Sequence, residues 1–277
     1  MPGGKLGYLG PQGTFSEEAA LLYSRGSGKE LIEYPAIGEV INAVQTGTLD
    51  EGLVPLENSL EGGVAATLDQ LARQEGIYVY HELFYQVRQC LMADGAVPPE
   101  QITGVFSHPH ALGQCAEYLN RSLPNAESVP LESTAAAAKK VIGKAGWAAI
   151  APRRSAELFG LKLMAEGIQD NDENFTRFVI LAREDHPPTG NDRTSLVLTL
   201  ADRPGSLYEV LGYFAHRNIN LTRIESRPSK QMIGDWLFFI DCEGHRSEPE
   251  KAELWEEIRE TAPFFKLLGS YPKADRD

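Results

Sequence analysis

One pattern recurs through the N-terminal part of this chain: a short apolar run, a polar loop, then an amphipathic helix. Residues 6–9 run into Gly10-Pro11-Gln12-Gly13-Thr14, and a helix follows with Phe15, Ala19, Leu22 and Tyr23 on one face. Residues 52–55 run into Leu56-Glu57-Asn58-Ser59, ahead of a helix striped with Val64, Leu68 and Leu71. Residues 104–106 lead to Ser107-His108-Pro109 and a helix aligning Leu112, Cys115 and Leu119. Residues 129–131 lead to Glu132-Ser133-Thr134 and a helix holding the alanine run 135–138, and residues 147–150 precede a helix reaching Leu158. A final strand, 175–181, follows the polar stretch 170–174. Strands alternating with helices predict an α/β fold with largely parallel sheets. In such sheets ligands sit beyond the carboxyl ends of the strands, where the helices begin.

The pattern stops at residues 183–193, which hold Pro187, Pro188, Gly190 and Asn191 without apolar periodicity. Composition of this kind marks a linker, so the chain divides into 1–183, a linker 184–193 and a smaller unit 194–272. The smaller unit spells strand 194–200, helix 205–217, strands 220–226 and 234–241, helix 249–260 and strand 264–271. That order is βαββαβ, the ferredoxin-like arrangement. Leu207, Leu211, Phe214 and Ala215 form the apolar face of its first helix; Ala252, Trp255 and Ile258 form that of its second.

The net charge of −13 disfavours nucleic acid and anionic membranes as partners. A small anion would have to be held locally, and the loops offer hydroxyls and amides for this: Thr14, Asn58, Ser59, Ser107 and Ser133, each at a helix start where backbone N–H groups also point. The same residues are good N-caps, so helix capping is the stronger reading of any one alone, and only the set of loops together points to a ligand. Cys90, Cys115 and Cys242 are far apart and form no CxxC, which predicts buried thiols rather than a disulfide or zinc framework. His108 and His110 form an HxH without a completing acidic or cysteine ligand, so no metal is expected. Neither GxGxxG nor GxxxxGK[ST] occurs, which argues against nucleotide binding. Residues 1–10 carry one lysine and no apolar stretch, so a cytoplasmic protein without an export signal is expected.

Four segments in order carry a family resemblance: Gly10-Pro11-Gln12-Gly13-Thr14-Phe15-Ser16, Val54-Pro55-Leu56-Glu57-Asn58-Ser59, Ser107-His108-Pro109 with Gln114 and Cys115, and Asn174-Phe175-Thr176-Arg177-Phe178. Together they resemble the prephenate dehydratase family. The C-terminal unit resembles the ACT regulatory domain of that family through Arg203-Pro204-Gly205-Ser206-Leu207, Asn218-Ile219-Asn220-Leu221-Thr222 and Glu225-Ser226-Arg227-Pro228. It departs from the commoner form at Ser206 and Tyr208, where alanine and valine are usual. The resemblance implies a catalytic domain of two lobes, folded like a type 2 periplasmic binding protein, ahead of the ACT domain. With no chorismate mutase domain before Gly7, a monofunctional enzyme is expected.

The implied reaction converts prephenate to phenylpyruvate, water and carbon dioxide in phenylalanine biosynthesis, under feedback by phenylalanine. Aromatisation drives it, so no cofactor is implied. The alternatives are an arogenate dehydratase and a non-catalytic amino-acid sensor. By resemblance Thr176 is the catalytic hydroxyl, with Asn58, Ser107, Gln114 and Phe178 at the substrate, and Ser59 and Thr14 added from their loops. Glu57 is a rival proton donor. Arg177, next to Thr176 on a strand, points to the opposite face. The implied phenylalanine site comprises Gly205, Ser206, Leu207, Asn220, Leu221, Glu225, Ser226, Arg227 and Pro228. A homodimer or homotetramer is expected, because a βαββαβ sheet has an edge able to pair with a copy of itself.

Overall fold

The computed structural model describes residues 3–229 and 236–274. Its elements run β1 (Lys5–Leu9), α1 (Phe15–Tyr23), β2 (Glu30–Tyr34), α2 (Ile37–Gln45), β3 (Glu51–Asn58), β4 (Gly62–Gly63), α3 (Ala65–Arg73), β5 (Tyr78–Gln86) and β6 (Cys90–Ala93). There follow β7 (Gly104–Ser107), α4 (Pro109–Gln114), α5 (Ala116–Ser122), β8 (Glu127–Pro130), α6 (Thr134–Val141), β9 (Trp147–Ala151), α7 (Arg153–Phe159), β10 (Lys162–Glu166) and β11 (Phe175–Ala182). The C-terminal part adds β12 (Asp192–Thr199), α8 (Ser206–His216), β13 (Leu221–Pro228), β14 (Trp236–Glu243), α9 (Pro249–Thr261) and β15 (Phe264–Pro272). Gly234 and Asp235, expected to open the third strand of the C-terminal unit, lie outside the described residues.

Three sheets result, ordered β2-β1-β3-β11-β5 with β4 on β3, β10-β6-β9-β7-β8, and β13-β14-β12-β15. The chain divides into two compact units: residues up to Val40 with Glu57–Gly62 and Tyr85–Arg177, and Ile41–Leu56 with Gly63–Phe84 and everything from Phe178.

The first unit is built on the second sheet, whose central strands β6, β7 and β9 are largely apolar at successive positions because helices cover both faces. Alternation sorts their side chains. Cys90, Met92, Phe106, Ala149 and Ala151 face Ala137, Ala138 and Val141 of α6 and Ala156 of α7. Leu91, Val105, Ala148 and Ile150 face Ala111 of α4, Leu119 of α5 and Cys115 between them. Parallel pairing joins β7 to β8 and β9, but β6 runs antiparallel to β9 and β10, so this sheet is mixed rather than parallel throughout. Small residues permit close approach: a Cβ on Gly104 would overlap the Trp147 ring, which stacks on Phe106 at 4.4 Å. Gly104→Ala is therefore expected to destabilise the protein by about 1–3 kcal/mol through overpacking, read as a shift in the urea midpoint.

The second unit contains the four-stranded antiparallel sheet. Its β12, β14 and β15 register is continuous apart from one shift beside Ser195. Leu196, Leu198, Ile240 and Cys242 meet Val210 and Phe214 of α8 and Leu254, Trp255 and Ile258 of α9. Trp255, expected in the core, is buried and its Nε1 donates to Arg246 O at 3.0 Å. The opposite face, with Leu268 and Phe239, meets Leu56, Leu68, Leu71 and Val79 around a cavity of only about 10 Å³. Arg193 of β12 pairs with the fully buried Glu82 of β5 at 2.5 Å. Lys266 of β15 donates to Leu71 O at 2.7 Å and to Gln74 O, the carbonyls that end α3. Burial holds this ammonium below its ordinary pKa. At the other end of α3, a Cβ on Gly63 would stand 2.7 Å from the Glu225 carboxyl carbon, and Arg227 lies 3.9 Å from Asp69 within the helix.

Of residues 184–193, read from sequence as a linker, Asp192 and Arg193 already belong to β12, while residues 184–191 and Arg183 before them form no helix or strand but are tied down. Arg183 Nη1 donates to Val44 O and Leu49 O, both at 2.7 Å. Asp185 accepts from Ser270 N at 2.9 Å and pairs with Arg246 at 2.6 Å. The three cysteines are buried free thiols, and burial pushes Cys90 up to about 11 and Cys115 and Cys242 up to about 12, so all three stay protonated at neutral pH. Among the described residues no helix is long and apolar enough to cross a membrane.

Candidate active site

The end of β3 and the start of β11 are stitched together. Ser59 N donates to Phe175 O at 2.9 Å, Phe175 N to Ser59 Oγ at 3.0 Å, and Ser59 Oγ to Glu173 O at 3.1 Å. This brings Asn58 against Thr176, though the two are 118 positions apart in the chain. The Asn58 carboxamide is oriented from both ends. Its Oδ1 accepts from Leu60 N at 3.0 Å and Glu61 N at 3.2 Å. Its Nδ2 then points at Asn174 Oδ1 (2.9 Å), Thr176 Oγ1 (3.1 Å) and Phe175 O (3.3 Å). The Thr176 oxygen is thus an acceptor, which leaves its own O–H to serve as a donor.

Beside this cluster opens a cavity of about 340 Å³ lined by Leu60, Glu61, His110, Gln114, Gln169 and Asn174, among others. Its size suits a small molecule. Gln114 is anchored by Gln89, whose Nε2 donates to Gln114 Oε1 at 3.2 Å, which leaves the Gln114 amide donors to the cavity. Gln89 is held in turn by its backbone N–H, which donates to Gln169 Oε1 at 2.9 Å. His110 Nδ1 lies 2.6 Å from Glu61 Oε2 at the rim. The neighbouring His108 has its pKa lowered, by burial first and by His110 second, so it is held toward the neutral ring. Amides, neutral at every pH, make up most of the polar lining.

The sequence-derived residues divide accordingly. Thr176, Asn58 and Gln114 gather at the cavity or the cluster beside it. Ser59 is adjacent, but its hydroxyl is engaged in the backbone stitching. Ser107 does not join: it is fully buried and its hydroxyl donates to Ile150 O at 2.7 Å. Phe178 is 1% exposed and belongs to the core. Thr14 caps α1, accepting from Glu17 N at 3.4 Å and donating to Pro11 O at 2.9 Å. Ser133 caps α6 through Ala136 N at 3.0 Å. The backbone amides expected to grip an anion in the first loop are already used: Gln12 N donates to Glu33 at 2.9 Å and Gly13 N to Glu17 at 2.5 Å. Glu57, the rival acid, lies 3.7 Å from Arg177, which is 5% exposed.

In the C-terminal sheet, Gly205 opens α8 at φ 86°, a left-handed conformation that favours glycine. Ser206 and Leu207 form the first turn, and Asn220 and Leu221 lead into β13. The motif Glu225-Ser226-Arg227-Pro228 is split by strand alternation. Glu225 and Arg227 are half-buried in ion pairs with Arg223 and Asp69, while Ser226 and Pro228 are exposed. Asn174 and Gln89 were not singled out from sequence. Asn174 stood inside a quoted motif, and Gln89 carries no local signal.

The family described as "Prephenate dehydratase" matches residues 6–186, and the family described as "ACT domain" matches 194–254. A bifunctional chorismate mutase/prephenate dehydratase of Stutzerimonas stutzeri is 41% identical over 272 residues, covering 98% of this chain and 73% of the relative. A prephenate dehydratase of Amycolatopsis methanolica is 40% identical over 274 residues, covering 98% and 89%. The crystal structure of prephenate dehydratase from Arthrobacter aurescens in complex with L-Phe superposes with a TM-score of 0.90 at 38% identity, covering 99% of this chain and 91% of that one.

Proposed function

Because this chain belongs to the prephenate dehydratase family, we propose that the amide-lined cavity beside Thr176 is where prephenate loses carbon dioxide and water to become phenylpyruvate. The protein is a prephenate dehydratase with a C-terminal ACT domain. Phenylalanine regulates it through that domain, a reading supported by the L-Phe complex of the Arthrobacter relative. The reaction makes it a carbon–oxygen lyase. We further assign it to the cytoplasm as a homo-oligomer.

The observation that carries the site assignment is the Asn58 Nδ2 to Thr176 Oγ1 hydrogen bond of 3.1 Å. In prephenate the C–C bond to the ring carboxylate breaks, its electron pair flows through the ring, and the C–O bond opposite breaks. Negative charge grows on the departing hydroxyl oxygen. A hydroxyl whose lone pair is occupied by an amide donor presents its proton to that oxygen, which supplies stabilisation where charge develops. The proton that completes water comes from Thr176 or is relayed by it from solvent. Threonine is a weak acid, so donation of a hydrogen bond is its main contribution. Gln114, clamped through its Oε1, offers N–H donors to a carboxylate. Aromatisation drives the reaction forward. Glu57, the rival donor, lies 3.7 Å from Arg177, whereas Thr176 is the group the Asn58 amide contacts, and this contact favours Thr176.

The test is direct. Purified protein incubated with prephenate is expected to form phenylpyruvate, followed by its absorbance in alkali, and added L-phenylalanine is expected to change the rate. Arogenate offered in competition is expected to give a lower kcat/KM. Turnover of arogenate alone would move the protein to the sister activity, and turnover of neither would leave the sensor reading.

A further inference from the structure

We propose that Asn174 is a positioning residue for this reaction: it fixes the orientation of the Asn58 amide, and through it the direction in which Thr176 presents its proton. The inference rests on the functional reading above. Asn174 immediately precedes β11 and is fully buried. Its Oδ1 receives the 2.9 Å hydrogen bond from Asn58 Nδ2. Were Asn58 turned over, its carbonyl oxygen would face Asn174 Oδ1 and Phe175 O, acceptor against acceptor. Its amide would then face the Leu60 and Glu61 N–H groups, donor against donor. Asn174 at one end and two backbone amides at the other therefore leave a single orientation, the one in which Asn58 donates to Thr176 Oγ1.

The other end of Asn174 points to the same conclusion. Its Nδ2 is buried and finds no hydrogen-bond partner among the described residues, while the residue lines the cavity. A buried amide donor left unsatisfied is costly, and a purely structural residue at this position would be expected to use it. The acceptor that matches it is an oxygen of the substrate. The backbone here is secured separately, with Val87 N donating to Asn174 O at 2.7 Å, so side-chain changes leave the chain path anchored.

The experiment measures kcat and KM for prephenate across pH for wild type, Asn174→Ala and Asn174→Asp, with circular dichroism as the check of folding. Alanine is expected to lower kcat by about 10²-fold, the scale of a misplaced reacting group, with KM changed only a few-fold. Aspartate when protonated offers the same acceptor and donor as asparagine. That variant is expected to approach wild-type kcat at the acid end and to lose it through one added ionisation as pH rises. Glu57, Glu61, His110, Asp170 and Asp172 surround the site in all three proteins, so the difference between profiles isolates position 174. An alanine variant within threefold of wild-type kcat, or an aspartate profile parallel to wild type, overturns the proposal. If alanine fails to fold, the aspartate profile decides. If wild type itself does not turn over prephenate, the functional reading fails first and takes this inference with it.

Discussion

Replacing Thr176 with alanine is expected to lower kcat by roughly 10²–10³-fold, the usual cost of deleting one donor to a developing oxyanion, while KM stays within a few-fold of wild type. The side chain is half-buried on a strand whose backbone is stitched to the Asn58 loop by Ser59, so loss of a hydroxyl and a methyl leaves the scaffold in place. What disappears is the acceptor of the Asn58 amide and the proton aimed at the leaving oxygen. A group that acts only in the transition state lowers kcat and kcat/KM together, which separates this outcome from a binding defect. Serine at the same position keeps the oxygen and is expected to recover most of the rate. An alanine variant with nearly full turnover would remove Thr176 from the chemistry and make Glu57 the residue to test next.

The largest effect on stability is expected at Gly269. It sits in β15 at φ 145°, and a Cβ there would lie 2.7 Å from Val79 N and closer still to Val79 O. Those are backbone atoms of β5, which cannot rotate aside as a side-chain tip can. Gly269→Ala is therefore expected to cost about 3 kcal/mol or more, at the upper end of overpacking penalties. The next residue, Ser270, is itself hydrogen-bonded to Asp185 and Thr194. Gly212, inside α8 and with nothing within 4 Å of its added Cβ, is the internal control. Alanine there is expected to be neutral or to stabilise by up to about 1 kcal/mol, as in other helix interiors. Urea unfolding of the two variants beside wild type checks both. Equal midpoints would show that β15 and β5 can separate without penalty.

Most of the architecture was legible because it rests on local periodicity. Helices cover both faces of the sheet formed by β6 to β10, and its central strands β6, β7 and β9 are largely apolar along their length; the C-terminal unit shows the 2- and 3.6-residue periods in sequence order. The site was legible only where a motif carried it. Ser107 and Thr14 have the residue type and loop position of ligand-binding groups, yet the same chemistry serves a buried carbonyl and a helix cap. Nothing local distinguishes those uses. The amides of the first loop are consumed by Glu17 and by Glu33, the latter 21 positions from Gln12. Asn174 acquires its meaning from a residue 116 positions earlier, a separation at which periodicity carries no information. The segment 183–191 has a linker's composition, but what holds it in place is largely backbone carbonyls and amides, which every sequence possesses.

Helix α3 spans nine residues, a rod of about 13 Å. Its last carbonyls rest on Lys266, its middle lies against Arg227, and the glycine before it abuts Glu225. Held at its end, its middle and its entry by β13 and β15 of one sheet, it is braced three times over, so losing any one of these contacts leaves the other two in place.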